Sequence, residues 1–133
     1  MLVVPRAIVD EMIAAAYAAY PYEFCGLLAG PADGERVGSL AVCRNAAESA
    51  RVYTVDPLDH LRAERAAEAL GWEVVGVVHS HTHSEPYPSP TDVAQAPDPG
   101  WYYVIVGLKR ESPEVRSYRI VDGSIDEVPL HVA

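Results

Sequence analysis

The chain has 133 residues, half of them apolar, and a formal net charge of −9. That length admits one domain with a real core and not two. The acidity opposes nucleic-acid binding, which needs clustered Lys and Arg, and no apolar run nears the roughly 18–20 residues of a membrane span. Met1-Leu2-Val3-Val4-Pro5 lacks the basic region and cleavage site of a signal peptide. The two cysteines, Cys25 and Cys43, make no disulfide framework, so free thiols and a cytoplasmic location are expected. Cys25 reads as a small buried hydrophobe.

In chain order, Leu2 to Val4 reads as a short strand, and Pro5 opens a helix to about Tyr20 whose Ile8, Met12, Ala15 and Ala19 share one face. Pro21 ends it. Phe24 to Ala29 is a strand, followed by a turn at Gly30-Pro31-Ala32-Asp33-Gly34. Val37 to Arg44 and Val52 to Val55 follow as strands, and Asp56-Pro57 starts a helix with Leu58, Leu61, Ala66 and Leu70 as its apolar marks and Gly71 as its stop. Glu73 to His79 is a central buried strand. Ser89 or Thr91 starts a short helix through about Ala96. Trp101 to Leu108, Val115 to Val121 and Ile125 to Val128 form a closing meander, with Asp122-Gly123 as a two-residue hairpin turn. Strands and helices mix without regular alternation, which predicts one α+β domain over residues 1–133, a curved sheet flanked by helices.

The chemistry concentrates in His79-Ser-His81-Thr-His-Ser-Glu-Pro-Tyr-Pro-Ser89-Pro-Thr-Asp92. Residues i and i+2 of an extended chain face the same way, so His79 and His81 can converge on one ion. Asp92 follows eleven residues after His81, beyond a proline-rich turn long enough to fold back. Two His and one Asp leave the fourth position of a tetrahedral site open to water, as a catalytic zinc site requires. Ser89 and Asp92 also suit the first turn of a helix. No His-Glu-x-x-His helix, no deaminase pattern of cysteines and no Gly-rich phosphate loop occurs.

The spacing H-x-H-x7-S-x2-D resembles the core motif of the JAMM (MPN+) zinc metalloproteases, matched here without a gap. The segment Pro21-Tyr-Glu23-Phe-Cys-Gly-Leu-Leu-Ala-Gly30 is similar to the family's N-terminal segment. The resemblance spans nearly the whole chain and implies a curved mixed sheet flanked by helices, in a cytidine-deaminase-like arrangement. It also implies a Zn2+ ion held by His79, His81 and Asp92, with Glu23 as the general base and acid and Ser89 as a donor to the oxyanion. A His81–His83 ligand pair is conceivable, but only the His79–His81 register fits Ser89 and Asp92. His83 is then a loop residue facing solvent or substrate, and His60 and His131 lie far from the motif.

Family members that cleave ubiquitin commonly carry Pro after the second ligand His, together with long insertions. Here that position is Thr82, and the chain has no room for insertions. Thr82, Tyr87-Pro-Ser89, Thr91-Asp-Val93, Asn45-Ala46 and Arg116-Ser-Tyr-Arg-Ile-Val-Asp-Gly123 resemble the bacterial Mec-type subgroup. That resemblance implies a ubiquitin-like sulfur-carrier protein with a Gly-Gly tail as partner, and removal of cysteine or of an extension beyond that tail. A general small-peptide metallopeptidase is the runner-up. A non-catalytic scaffold is opposed by the complete set of site residues.

Overall fold

The computed structural model describes residues 1–133. Its elements are β1 (Leu2–Val4), α1 (Arg6–Ala19), β2 (Cys25–Gly30), β3 (Ser39–Cys43), α2 (Pro57–Ala69), β4 (Glu73–His81), α3 (Pro90–Ala94), β5 (Tyr102–Gly107), β6 (Glu114–Val121), β7 (Ser124–Val128) and β8 (Leu130–Val132). Six strands form one mixed sheet in the order β3-β2-β4-β5-β6-β7, while β1 and β8 pair separately and in parallel. Only β4 and β5 run parallel within the large sheet. The α+β architecture with a mixed sheet and flanking helices is as expected.

The helices cover opposite faces of the sheet. Successive strand residues alternate in direction, and β4 shows the division. Val78 belongs to a cluster with Ile8 and Met12 of α1, whereas Val77 belongs to a second cluster with Ala63 of α2. On α1, Ile8 and Met12 are buried as expected, but Val9 and Ala16 join them, and Ala15 and Ala19 lie half-buried at the margin. Complete burial of a side chain such as Met12 contributes roughly 1.5–3 kcal/mol.

Four expectations need correction. On α2 the buried residues are Ala63 and Ala67; Leu58, Leu61 and Leu70 are exposed, and Ala66 with them. Small alanines let the helix lie close to the sheet and turn its leucines outward. Val52 to Val55 is not a strand, apart from an isolated bridge between Asn45 and Val55. The Asn45 side chain takes the place of a strand partner, donating to the Val52 carbonyl and accepting from the Thr54 amide. The central strand continues past His79 to His81. Finally, β8 was not foreseen, since a three-residue strand pairing across the length of the chain leaves no local pattern. The Asp122-Gly123 turn is as read, with both residues at positive φ (51° and 79°), the geometry of a tight primed hairpin turn.

Candidate metal centre

The site is built at the C-terminal end of β4. From Val75 to His81 this strand is buried, flanked by β2 on one side and β5 on the other. His79 and His81 therefore project on the same face as Val77, the α2 face. After His81 the chain turns through the proline loop and returns as α3. Pro86 of that loop sits against Gly107 of β5, where an added Cβ would meet the ring at 2.9 Å. Glycine at 107 lets the loop lie down on the sheet.

Helix α3 delivers the third group. Ser89 is its N-cap: the Ser89 Oγ accepts from the Asp92 amide at 3.1 Å, and the Ser89 amide donates to Asp92 Oδ2 at 2.9 Å. This reciprocal capping box aims the carboxylate at the two rings. Asp92 Oδ2 lies 3.2 Å from His79 Nε2 and 3.0 Å from His81 Nε2, and the two ring nitrogens are 3.1 Å apart. All three side chains are buried.

The proton inventory shows what this cluster is for. His81 Nδ1 donates to the Glu85 carbonyl at 2.7 Å, since a carbonyl can only accept. A neutral His81 therefore presents a bare lone pair at Nε2, facing a carboxylate oxygen and another imidazole nitrogen. Inward-facing lone pairs in a buried site call for a shared cation, and the outward hydrogen bond is the second contact that fixes a ligand histidine. The His79–His81–Asp92 group is accordingly a metal-binding site. His79 is held by stacking on Tyr53, with centroids 4.3 Å apart and planes 22° apart. Burial pushes its pKa down. For His81 burial acts in the same direction, but the Asp92 carboxylate and the Glu85 carbonyl outweigh it and raise the pKa. Burial alone would raise Asp92; the two imidazoles hold it below the ordinary carboxylate range instead. The Glu85 backbone is steadied in turn by its exposed side chain, which pairs with Arg110 and Lys109 and titrates at about 2.

Glu23 stands just before β2 and is buried. Its amide donates to the Ser49 carbonyl at 2.7 Å, and its carbonyl accepts from the Asn45 side chain at 3.1 Å. Its carboxylate Oε1 is buried with no hydrogen-bond partner. Desolvation pushes the Glu23 pKa up to about 8, with His81 pulling it down and Asp92 adding to the rise. Glu23, His81 and Ser89 line one cavity of about 520 Å³. Every residue expected at the site is thus brought to the end of β4. Ser89 is a helix cap as well, but its hydroxyl accepts the capping bond and keeps its own hydrogen to donate.

His83 is exposed, as expected, within hydrogen-bonding distance of Tyr20 Oη and Thr82 Oγ1. His60, expected to be remote, shares a second cavity of about 340 Å³ with Asp92, Tyr53 and Trp101. The sequence reading missed Tyr53, which orients His79, and Ser80, whose Oγ accepts from the Phe24 amide at 2.8 Å beside Glu23. It also gave no supporting role to Thr82, which is buried and donates to the Ala50 carbonyl. Ser80 and Thr82 lie inside the His motif, and that position was the available signal.

Residues 5–121 match the family described as prokaryotic homologs of the JAB domain. A CysO-cysteine peptidase from Mycobacterium tuberculosis (strain H37Rv) is 40% identical over 99% of this chain and 91% of its own length. A probable TtuB-protein conjugate cleaving protease from Thermus thermophilus is 34% identical over 99% of this chain and 83% of its own. The solution structure of protein DSY2949 from Desulfitobacterium hafniense superposes with a TM-score of 0.91 at 31% identity, covering 100% of this chain and 93% of that one. With this coverage, and with its His-x-His and Ser-x-x-Asp groups gathered around one point, the chain belongs to the prokaryotic JAB-domain branch of the JAMM (MPN+) metallopeptidases.

Proposed function

We propose that this protein is a zinc metallopeptidase that hydrolyses the bond after the C-terminal Gly-Gly of a small ubiquitin-like sulfur-carrier protein, releasing cysteine or trimming a C-terminal extension. The observation that carries this reading is the convergence of His79, His81 and Asp92 beside a buried Glu23 with a free carboxylate oxygen. Two nitrogens and one oxygen favour zinc over magnesium or calcium, which prefer all-oxygen sites. Donor atoms held about 2.0–2.1 Å from a tetrahedral zinc stand roughly 3.3 Å apart, close to the 3.0–3.2 Å separations here. When bound, the ion supplies Lewis acidity toward water and the scissile carbonyl.

The remaining work falls to the chain's own groups. Glu23 takes the proton of the attacking water and passes it to the leaving nitrogen. With Oε1 unengaged, no existing hydrogen bond has to break for this. Its burial raises its hold on a proton, which suits the accepting half of the cycle. The Ser89 hydroxyl donates to the developing oxyanion, fixed in direction by its capping contact. The backbone under His79 is paired with β2 and β5 and that under His81 with β5, while Tyr53 and the Glu85 carbonyl hold the two rings.

The substrate rests on the motif's resemblance to the Mec-type subgroup and on what two relatives are named for: a CysO-cysteine bond and TtuB-protein conjugates. Residues 1–133 act as one catalytic domain in this reading. Its free, buried thiols suit a reducing cytoplasm. The test is mass spectrometry of a folded carrier ending in Gly-Gly-Cys, incubated with zinc-loaded protein. The expected product lacks only the terminal residue, and a chelator blocks its formation. Equal cleavage of short unrelated peptides would identify a general peptidase instead.

A further inference from the structure

The geometry points to Arg51 as the specificity residue that grips the free α-carboxylate of the residue leaving after the Gly-Gly tail. This rests on the peptidase reading above and narrows its substrate to a carrier with an α-linked terminal amino acid. A carrier joined through a lysine side chain offers no carboxylate at that place.

Three observations converge on Arg51. It lines the same cavity as Glu23, His81 and Ser89, and it is the sole Lys or Arg among the lining residues. The cationic partners in the ion pairs of this acidic chain are Arg44, His60, Arg62, His79, His81, Lys109, Arg110 and Arg116. Arg51, like Arg6, Arg36, Arg65 and Arg119, pairs with no carboxylate, and of these five it alone lines the cavity. Its backbone is not a free loop. The Ser49 carbonyl accepts from the Glu23 amide at 2.7 Å, and Ser49 Oγ accepts from the Arg51 amide at 3.1 Å. The Ala50 carbonyl accepts from Thr82, the residue next to His81, at 3.2 Å.

The segment carrying Arg51 is therefore tied to both sides of the reaction centre, at Glu23 and at Thr82. A guanidinium presents a planar fork that matches a carboxylate with two parallel hydrogen bonds. A Gly-Gly tail carries no charge, so the anion that the intact substrate brings close to the scissile bond is the terminal carboxylate. His83, the other basic residue on this wall, is engaged with Tyr20 and Thr82. Arg51 alone remains to meet it.

The experiment compares zinc-loaded wild type, Arg51→Ala and Arg51→Lys on a folded carrier ending in Gly-Gly-Ala, either as the free acid or as the carboxamide. Alanine keeps thiol chemistry out of the comparison. Wild type should prefer the acid by roughly 10- to 100-fold in kcat/KM, the range for a hydrogen bond to a charged group. That ratio should collapse toward one in Arg51→Ala and be partly restored in Arg51→Lys, which keeps the charge but loses the fork. A wild-type ratio near one, or a ratio unchanged in Arg51→Ala while both rates fall together, overturns the assignment. If wild type leaves every carrier intact, the peptidase reading itself has failed. The anchor is then read from NMR titration of the zinc-loaded protein with the peptide Gly-Gly-Ala and its amide. Tighter binding of the acid that disappears in Arg51→Ala supports the anchor, and equal binding of the two removes it.

Discussion

The two faces of the central sheet are used differently. The α1 face is covered by the larger cluster, in which Leu2, Met12, Leu28, Val78 and Val104 are fully or almost fully buried. The α2 face carries a smaller cluster with Leu27, Val77 and Ile105, and at its end the apolar row gives way to His79 and His81. Helix α2 buries only Ala63 and Ala67, and of these Ala63 belongs to that cluster. One face supplies most of the hydrophobic stability, and the other holds polar groups out of water where their chemistry is useful. A strand shared by both faces couples them, since Val78 points into the first and its neighbours Val77 and His79 into the second.

The sharpest way to break this division is at the ligands. Asp92→Ala, His79→Ala and His81→Ala should each lose the metal, measured as zinc per chain in purified protein, with activity at background. Retention of zinc in His79→Ala and its loss in His83→Ala would move the ligand register by two residues. Glu23→Gln should bind zinc normally and lose turnover by roughly 100- to 10,000-fold, the span of a general acid–base group. Near-normal turnover would remove Glu23 from the mechanism. Ser89→Ala should keep zinc and lose roughly 100- to 1000-fold in kcat through the missing oxyanion donor. Its lost helix cap should appear separately as a stability cost of about 1 kcal/mol.

The smallest effects compare the two helices. Met12→Ala on α1 should destabilise by roughly 2–5 kcal/mol in a denaturant titration and leave zinc stoichiometry unchanged. Leu61→Ala on α2 should fall within about 0.5 kcal/mol of wild type, because Leu61 is exposed. A large loss in Leu61→Ala would mean that something covers the outer face of α2.

The ligands were legible in the sequence because their spacing states their geometry. His79 and His81 share a face by strand period, and Ser89 and Asp92 mark a helix start whose cap is also the third ligand's support. The hairpin at Asp122-Gly123 was legible because positive φ restricts residue choice. What was not legible depends on long-range packing. The leucines of α2 follow a helical period that matches an apolar face, yet alanines make the contact, and only the closeness of the sheet decides between them. Tyr53 gave no signal because its role comes from a loop held by Asn45, not from any local periodicity. The pairing of β1 with β8 joins residues 2 and 130, a contact that no window along the chain can reveal.

The capping box at Ser89 has a mechanical consequence for the metal site. Two of its three donors sit on a strand, His79 where it is paired on both edges and His81 where it is paired with β5, and the third rides on a five-residue helix. The site therefore behaves as a vice with one stationary jaw and one movable jaw. A larger ion needs more room between the three donors, and the donor on the shorter element is Asp92. Any outward shift of Asp92 pulls on Ser89 through the shared carboxylate oxygen. Ion size is thereby coupled to the position of Ser89, the residue proposed to meet the oxyanion. If Ser89 acts as proposed, a misfit metal should lower turnover through Ser89 even where it is held tightly.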